Sequence, residues 1–508
     1  MVFLKLCLFT ALVFLVSCND YAVLNTNKTV PKPAPKYSFP HFLGLDQDLN
    51  FTLSSVDQNI TGVANDLDDD SLIAVGFIEG QLYDGSTSQG KDLFVFKATH
   101  EGEIVWSILL NDQHPLVQDA SGNESATNIV IDQANNVFYI SGVTNGSFVE
   151  SNPSGTNDIV IAKFTTNGTP LWIRQLGQET QAALRVSLNL PTLDLSYADR
   201  IGDMKLNPSG QLVASFDTAG SVFDTNTGTL GTHTDVGALL FNSVNGNLLK
   251  GVQIGAQAVS SFSGNSAATE GVSQSSFAFD GNKVVVPFRT AGALADTYAG
   301  TGNDAAYFVV DANFQIERIV QVGGATYGNW QSQGNYAGSI NADDQFRSVL
   351  VNASGDYLFY GKTSSSMSEV VGNVDVIFAR FVNHTLTSIL QYGATTLPTA
   401  SNTEEPRHLV RASNGEIYCS GHTRSDLLSE GSAYYKPYIF KVDASGVLQE
   451  QYVVSNAEKT SQGILTNKHI LVVTQEFVVT DDQIRAAFNV SSTGTSGPFS
   501  SYLWTIER

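Results

Sequence analysis

Charged side chains are scarce in this sequence. Asp, Glu, Lys and Arg make up 15% of its 508 residues, against roughly 25% in average soluble domains. Three cysteines are too few for a disulfide scaffold, and 42% hydrophobic residues are too many for a disordered chain. The polar surface must come from Ser, Thr, Asn, Gln and Gly. With 44 glycines and 10% aromatic residues, this composition predicts many strands joined by tight turns and argues against a helical bundle.

Positively charged residues are scarcer than negatively charged ones. The chain has 27 Lys and Arg residues against 49 Asp and Glu residues, a formal net charge of −22. Such a surface repels nucleic acid and anionic membranes. We therefore expect no nucleic-acid partner, and no membrane contact through the protein surface itself.

The amino terminus predicts export. Residues 1–17 have one early lysine and then an apolar run that is too short for a membrane span. The sequence Leu15-Val16-Ser17-Cys18 that ends this run resembles the lipobox of bacterial lipoproteins. That resemblance implies that Cys18 is acylated and becomes the mature first residue. The alternative is an ordinary signal peptide, which would leave the protein secreted.

A spacer follows the signal. Residues 18–44 are polar and contain four prolines, a composition typical of a semi-extended tether. The predicted organisation is a signal peptide (1–17), a lipid-anchored tether (18–44) and a single domain (45–508). The predicted location is the cell envelope, facing the periplasm or the exterior.

The remaining chain is an internal repeat. An acidic residue followed by β-forming apolar residues recurs about every 70 residues, at Asp92, Asp158, Asp235, Asp304 and Asp375. Each unit begins with a short strand and a turn, which lead into a second strand. The acidic segment is the third strand. After another turn, a fourth strand ends the unit. Counting the second strand gives seven units of four antiparallel strands. Because a β-sandwich does not repeat one four-stranded unit and β-helix repeats are shorter, this pattern predicts a seven-bladed β-propeller.

The repeat also suggests a family. Its order is a strand, a turn like D-x-x-G-N, a strand ending near Gly-x-Thr, a Gly-x-Asp strand, and then N-G-x-x-x-W with a closing Leu-Gly. The clearest copy is 126–177, and this pattern resembles the bacterial seven-bladed β-propeller repeat proteins. Units six and seven lack the Asp before Pro437 and Tyr502. The resemblance implies fold and export, and it carries no catalytic residues.

The last unit stops at its third strand, in 501–508. The segment 48–56 has the character of a fourth strand, and we predict that it pairs with 502–507. Such closure removes an exposed sheet edge.

Loop lengths predict where a ligand binds. The long loops 177–197, 255–270, 323–344 and 477–500 fall on one face, which is where binding residues usually sit on a rigid scaffold. Aromatic side chains there suit stacking on sugars or anchoring a protein, although they also suit packing of the loops onto the ring. The ligand-binding candidates are Tyr327, Trp330, Tyr336, Arg185, Tyr197, Tyr434 and Tyr435.

Three groups invite a metal or catalytic interpretation. Asp66, Asp68 and Asp70 have the density of a calcium loop but lack the glycine and distal Glu of an EF-hand, so a solvated turn is favoured and calcium is the alternative. His408, Cys419 and His422 match no zinc spacing and favour packing. The repeated Asp residues lie in different blades, which favours a capping role. We therefore nominate no catalytic residue and no cofactor other than calcium.

Two functions remain open. The first is a non-enzymatic binding scaffold for a protein or a glycan, acting through the long-loop face. The second is a hydrolase or lyase acting on extracellular polysaccharide with carboxylates at the channel mouth. Polar residues of predicted first strands, namely Asp203, Arg347 and Arg407, are candidates for that mouth, but the pattern does not show whether they converge.

Overall fold

The architecture is seen in a computed structural model. It describes residues 20–21, 32–33, 37–38, 57–79, 90–99, 104–111, 114–118, 122–149, 157–187, 198–225, 233–261, 269–272, 275–296, 302–323, 326, 343–364, 374–393, 404–423, 436–453, 471–479, 483–491 and 499–507.

Almost all regular structure in these residues is antiparallel sheet. Two short strands, β1 (Asp20–Tyr21) and β2 (Lys32–Pro33), pair with each other, and β3 is Tyr37–Ser38. Six sheets of consecutive strands follow, here called blades 1 to 6. Blade 1 contains β4 (Asp57–Asp66), β5 (Ser71–Glu79), β6 (Asp92–Ala98) and β7 (Ile104–Leu110). Blade 2 contains β8 (Glu124–Asp132), β9 (Val137–Thr144), β10 (Asp158–Thr165) and β11 (Pro170–Leu176), with a 3₁₀ turn at Gln133–Asn135.

The next blades repeat this plan. Blade 3 contains β12 (Asp199–Leu206), β13 (Leu212–Thr218), β14 (Asp235–Phe241) and β15 (Leu248–Gln253). In blade 4 the first strand is split into β16 (Glu270–Gly271) and β17 (Ala278–Asp280), followed by β18 (Lys283–Thr290), β19 (Asp304–Val310) and β20 (Ile316–Gln321). Blade 5 contains β21 (Gln345–Val351), β22 (Tyr357–Thr363), β23 (Asp375–Val382) and β24 (Thr385–Tyr392). Blade 6 contains β25 (Glu404–Arg411), β26 (Ile417–Thr423), β27 (Lys436–Val442) and β28 (Leu448–Val453).

The C-terminal sheet differs from the six blades. Its strands β29 (Leu471–Val479), β30 (Gln483–Ser491) and β31 (Phe499–Glu507) are joined by β3 from the amino terminus. Two helices lie between blades, α1 (Gln178–Ser187) before β12 and α2 (Ala256–Ser261) before β16. Both fall in loops that the sequence predicts to be long.

The blades form a propeller with the first strands innermost. Strand β4 contacts β8, β8 contacts β12, β21 contacts β25, β25 contacts β29, and β29 contacts β4. The prediction of an all-β propeller with four-stranded antiparallel blades is confirmed. The number of blades is corrected: six blades of four consecutive strands are present instead of seven, because the last unit supplies only three strands.

The predicted mode of closure is not confirmed. Residues 48–56 lie outside the described part of the chain. The neighbour that the structure shows for β31 is β3, with Tyr37 opposite Ile506 and Ser38 opposite Thr505. These two residues fall inside the predicted tether, so part of that segment joins the sheet.

Aromatic and branched side chains fill the space between neighbouring blades. Phe138 of blade 2 stacks on Trp106 of blade 1 with ring centroids 6.1 Å apart, and Tyr307 of blade 4 stacks on Phe359 of blade 5 at 4.7 Å. These contacts join each sheet to the next because β-branched and aromatic residues on the strands present flat faces to a neighbouring sheet.

The repeated Asp residues lie buried at the start of the third strand. Four of them accept a hydrogen bond from a glutamine at the end of the fourth strand, at 2.6–2.8 Å: Asp158 from Gln175, Asp235 from Gln253, Asp304 from Gln321 and Asp375 from Gln391. The predicted capping role is confirmed for these four.

The glutamine also holds the loop that leaves the second strand. Gln321 donates to the carbonyl oxygen of Gly292 at 2.7 Å and accepts from the backbone N–H of Leu294 at 2.8 Å. We call this arrangement the Gln–Asp clamp. It fixes the ends of the strands at the face from which the long loops depart.

Candidate functional site

The first strand of most blades carries a β-bulge at an equivalent level. At each bulge, one residue of the first strand has no partner in the second strand, and in blade 6 two residues have none. The single residues are Thr61, Thr127, Gly202, Arg347 and Gln475, and the pair in blade 6 is Arg407 and His408. In blade 4 the pairing with the second strand β18 is interrupted between β16 and β17. Bulges redirect side chains and are common beside functional sites.

Hydrogen bonds join neighbouring first strands at the bulges. Thr61 Oγ1 donates to the carbonyl oxygen of Ala126 at 2.7 Å, and Asn128 Nδ2 donates to Asp203 Oδ1 at 2.5 Å. Asp203 also accepts from Ser276 Oγ at 2.9 Å. The backbone N–H of Ser276 donates to the carbonyl oxygen of Arg347 at 2.6 Å. We call this chain of contacts the inner belt.

Asp203 lies in the inner belt. It does not form a channel mouth together with Arg347 and Arg407. Both its carboxylate oxygens accept bonds from the neighbouring blades, and Lys205 Nζ lies 3.2 Å from Oδ2. Close packing at this level requires the preceding Gly202, since a Cβ there would lie 2.7 Å from the carbonyl oxygen of Val272. The carboxylate is satisfied by the protein and is a structural connection between blades 2, 3 and 4.

Arg347 and Arg407 do converge. They lie in the bulges of neighbouring strands β21 and β25, and both are buried, with 8% and 9% of their surface exposed. Glu405 lies between the two blades, with Oε2 3.6 Å from Arg347 Nη2 and Oε1 2.8 Å from Lys362 Nζ. His422 lies opposite Glu405 in the ladder. We call Arg347, Lys362, Glu405, Arg407 and His422 the cationic cluster.

The electrostatics of the cationic cluster are dominated by burial of positive charge. Burial, together with the neighbouring charge of Arg407, lowers the pKa of Arg347 to about 10. Burial also lowers the pKa of Arg407, opposed by Glu405. Burial and the charges of Arg407, Arg347 and Lys362 hold the pKa of His422 well below its usual range. Glu405 and Asp343 oppose the shift at Arg347, and Arg289 adds to it.

Arg407 is incompletely satisfied. Its Nε and Nη1 atoms are buried and have no hydrogen-bond partner among the described residues. Buried donors without a hydrogen-bond partner are costly, so these two atoms of Arg407 distinguish the cationic cluster from a fully satisfied packing contact.

The cationic cluster lies at the face of the long loops. Lys362 and His422 precede the last residues of β22 and β26, and Glu405 is the second residue of β25. The segments 323–344 and 424–436, which the sequence singles out for their aromatic residues, connect to these same strand ends.

Sequence reasoning named Arg347 and Arg407 but missed Lys362 and Glu405 and interpreted His422 only as a packing residue. A signal was available, because Lys362 and His422 both stand between Gly and Thr in the repeated Gly-x-Thr sequence that ends the second strand. Comparing this one position from blade to blade would have found them.

Most of the predicted ligand-binding residues lie outside the described part of the chain: Tyr197, Tyr327, Trp330, Tyr336, Tyr434 and Tyr435, together with the predicted lipidation site Cys18. Arg185 is described, on α1. It is buried, and its Nη1 donates to the carbonyl oxygens of Ser221 and Val222 at 2.6 Å each. These contacts attach α1 to blade 3, and a ligand-binding role for Arg185 stays a prediction.

The acidic turn of blade 1 pairs with cations of the protein. Asp66 Oδ2 and Asp69 Oδ2 lie 2.8 Å and 2.7 Å from Lys97 Nζ, and Asp70 Oδ1 lies 2.7 Å from Arg485 Nη2. Asp68 is exposed. Within the described residues no three His, Cys, Asp or Glu side chains are grouped to hold a metal ion. Calcium at Asp66, Asp68 and Asp70 stays a prediction that would require displacing these lysine and arginine contacts.

Cys419 and His422 are buried in the blade 6 hairpin, and His408 is half-buried. Tyr360 and Tyr438 share a hydrogen bond of 2.8 Å beside Cys419, and burial keeps the pKa of that thiol above its ordinary value. The thiol is therefore protonated and is a core group. None of the described helices is long and apolar enough to cross a membrane.

Comparison with known proteins gives fold-level likeness only. No protein-family model matches the sequence, and none of the curated proteins compared with it is similar in sequence. Among solved structures, the polysaccharide lyase Uly1 is similar with a TM-score of 0.47 and 9% identity, over 95% of this chain and 94% of that chain. A protein of unknown function from Dyadobacter fermentans has a TM-score of 0.40 and 10% identity, over 94% of this chain and all of that chain (100%). A polysaccharide lyase PL25, an ulvan lyase bound to -[GlcA(1-4)Rha3S]-, has a TM-score of 0.40 and 10% identity, over 94% of this chain and 96% of that chain. At these scores and identities the likenesses carry no argument about activity.

Proposed function

We propose that this protein is an exported, lipid-anchored β-propeller that binds a glycan or a protein ligand through the face that carries its long loops. The observation that supports the proposal is the cationic cluster, where Arg347, Lys362 and Arg407 surround Glu405 at the strand ends from which those loops leave. Two buried nitrogen atoms of Arg407 have no hydrogen-bond partner among the described residues, which is costly in a purely structural cluster.

The test is a binding screen of the purified domain against glycan arrays and envelope protein extracts. Arg407→Gln is the variant, and Arg411→Gln is the control, because Arg411 lies on the same strand β25 but is exposed at its other end. We expect binding that Arg407→Gln weakens and Arg411→Gln leaves unchanged. Binding that neither variant affects would place the ligand elsewhere.

The anchor part of the proposal rests on the lipobox-like sequence that ends at Cys18. In a bacterial host, the wild-type protein is expected to incorporate radiolabelled palmitate and to sediment with membranes. Cys18→Ala is expected to abolish the label and release the protein from the membrane. Sedimentation of Cys18→Ala with membranes would argue for another mode of attachment.

We also propose that the C-terminal sheet closes the ring between blade 6 and blade 1. Its first strand β29 contacts β25, β26 and β27 of blade 6 on one side and β4 of blade 1 on the other. Arg485 of β30 is 1% exposed and donates to Asn65 Oδ1 at 2.8 Å and Asp70 Oδ1 at 2.7 Å in blade 1. These contacts support a ring completed by the amino-terminal strand.

A second candidate is a polysaccharide lyase. The observation that favours it is the position of His422, opposite Glu405 in the ladder and close to Arg347 and Arg407, since elimination from a uronic acid needs cations to neutralise the carboxylate and a nearby group to accept a proton. Incubation with acidic polysaccharides and detection of unsaturated sugar ends by ultraviolet absorbance separates the two functions. Product that disappears in His422→Gln would favour the enzyme.

A further inference from the structure

Acidic residues of neighbouring blades meet at the end of the propeller that carries the long loops. The backbone N–H of Asp199, at the start of β12, donates at 2.9 Å to the carbonyl oxygen of the residue before Asp158 in blade 2. The backbone N–H of Glu270, at the start of β16, donates at 2.7 Å to the carbonyl oxygen of the residue before Asp235 in blade 3. Each bond therefore places an acid of one blade next to the clamped aspartate of the preceding blade. The acids Glu124, Asp344 and Glu404 make the equivalent bond at three further junctions.

The two pairs Asp158 with Asp199 and Asp235 with Glu270 are removed from solvent. None of the four residues is more than 2% exposed. Burial raises the pKa of Asp199 to about 8 and that of Glu270 well above its ordinary value, and the charge of the paired aspartate adds to both shifts. Two carboxylates that share a buried site cannot both be ionised without a large energetic cost.

The charged groups around the two pairs do not supply a compensating ion pair. Arg200, the cation next to Asp199 on β12, is bound to Asp217 of β13 at 2.8 Å, and Asp217 adds a further negative charge near Asp199. On α1, Glu179 is exposed and Arg185 donates to two carbonyl oxygens of the loop after β13. The charged neighbours of Glu270 are Asp235 of β14, and Arg289 of β18, which lies opposite Gly271 in the ladder. In the part of the chain that the structure describes, no cation forms an ion pair with Asp199 or Glu270.

One carboxyl oxygen of each later acid lacks a donor. Asp199 Oδ2 accepts from Gln181 Nε2 at 2.6 Å, and Glu270 Oε1 accepts from Thr290 Oγ1 at 3.1 Å. The other oxygens, Asp199 Oδ1 and Glu270 Oε2, are buried and accept from no described group. An ionised carboxylate requires donors at both oxygens, whereas a protonated carboxyl carries a proton on one oxygen and requires an acceptor for it. The contacts of both residues are those of a protonated acid beside a carboxylate.

We propose that Asp199 and Glu270 each hold a proton that is shared with the aspartate of the preceding blade, and that loss of these protons at alkaline pH opens the junctions between blades 2, 3 and 4. When hydroxide removes the proton as water, two buried carboxylates remain and repel each other. The shared protons thus make the long-loop face sensitive to pH. This inference goes beyond the proposed ligand binding and does not depend on it.

Helix α1 connects the first of these pairs to a long loop. Gln181 of α1 donates both to Asp199 Oδ2 at 2.6 Å and to the carbonyl oxygen of Leu176 at 2.9 Å. Gln175, the residue before Leu176, donates to Asp158 Oδ2 at 2.6 Å. Because both acids of the pair are bonded to the two ends of this connection, their repulsion acts directly on the position of α1.

The first measurement counts the protons that the purified protein releases when urea unfolds it at pH 7. In the unfolded chain, Asp and Glu have pKa values of about 4 and are ionised. We expect Asp199→Asn and Glu270→Gln each to release about one proton fewer than the wild type, and the double variant about two fewer. The controls Asp68→Asn and Glu179→Gln remove exposed carboxylates and should release as many protons as the wild type.

The second measurement is hydrogen exchange at pH 7 and pH 9, with rates corrected for the intrinsic effect of pH on exchange. In the wild type, exchange in 198–203 and 269–272 should become about ten-fold faster or more at pH 9. The hairpin 206–212, at the opposite end of β12 and β13, should not change. The double variant has no proton to lose at these junctions and should show no such increase.

Equal proton release by the wild type and the double variant would overturn the inference, because both acids would then be ionised in the folded state. Exchange that responds equally to pH in the wild type and the double variant would also overturn it, because the protons would not control the junctions. If the double variant does not fold, infrared spectroscopy of the wild type decides. A band of protonated carboxyl groups at pH 7 that disappears on unfolding supports the inference, and the absence of that band overturns it.

Discussion

Two buried carboxyl groups at strand ends have raised pKa values, those of Asp199 and Asp375. Asp199 begins β12, and it accepts a hydrogen bond from Gln181 at 2.6 Å. Burial raises the pKa of Asp199 to about 8, and the nearby carboxylates of Asp158 and Asp217 act in the same direction. Burial similarly raises the pKa of Asp375 to about 6. These groups are at strand ends, so their protonation is a property of the fold.

The raised pKa of Asp199 predicts that the stability of the fold decreases as the pH rises. Because its pKa is higher in the folded state than in the unfolded state, the folded state retains a proton that the unfolded state releases. The resulting stability is complete below about pH 4 and is lost as the pH rises through about 8, by at most about 1.4 kcal/mol per pH unit. Asp199→Asn cannot ionise, so unfolding in urea at pH 5 and pH 8 should show a smaller difference than in the wild type.

The control for this prediction is Asp68→Asn, which removes an exposed carboxylate. It should retain the pH dependence of the wild type. Equal slopes for Asp199→Asn and the wild type would mean that Asp199 is ionised in the fold throughout this range.

At the scale of the strand, the Gln–Asp clamp explains why the repeat is visible in the sequence. In blades 2 to 5 the aspartate that begins the third strand accepts from the glutamine near the end of the fourth strand. The clamp satisfies buried polar groups at strand ends, which would otherwise be costly. These positions are therefore dictated within each of these four blades.

Gln321→Ala tests the clamp. It removes bonds to Asp304, Gly292 and Leu294 and leaves the carboxyl of Asp304 without the amide that donates to it. We expect the free energy of unfolding to fall by about 3 kcal/mol, measured by urea unfolding. Gln315→Ala, at an exposed position of the same blade, is the matched control and should cost far less. Equal losses in both variants would show that the clamp adds no stability.

At the scale of the whole molecule, contacts between distant parts of the chain join the C-terminal sheet to blade 1. Arg485 reaches from β30 to the acidic turn of blade 1, where it donates to Asn65 and Asp70. These residues are far apart in sequence, so the contact opposes separation of the C-terminal sheet from blade 1.

Arg485→Met should loosen this junction. We expect a loss of about 2 kcal/mol and faster amide hydrogen exchange in β4 and β29–β31, with blades 3 and 4 unchanged. Hydrogen-exchange mass spectrometry measures both regions in one experiment, with Arg411→Met as the control. Unchanged exchange at the junction would mean that the sheet contacts alone hold the ring.

The propeller and the strand ends were predictable from the sequence because they follow from local rules. Apolar strand segments and turn residues recur from unit to unit, and the Asp recurs in five of the units, so the four strands of a blade can be predicted from its own sequence. The site was predictable only in part. Arg347 and Arg407 stood out as polar residues of first strands, but the same reasoning grouped them with Asp203, which the structure places in the inner belt.

The sequence by itself determined the all-β architecture, the four-stranded unit and the capping role of the repeated Asp, because these depend on neighbours within one blade. Only the tertiary structure decided three features: the bulges that bring Arg347 and Arg407 together, the satisfaction of Asp203 by three blades, and the pairing of β31 with Tyr37–Ser38. A bulge has no sequence signature in this chain, and it forms where neighbouring first strands bond to each other. Each of these features therefore depends on which blades meet in space.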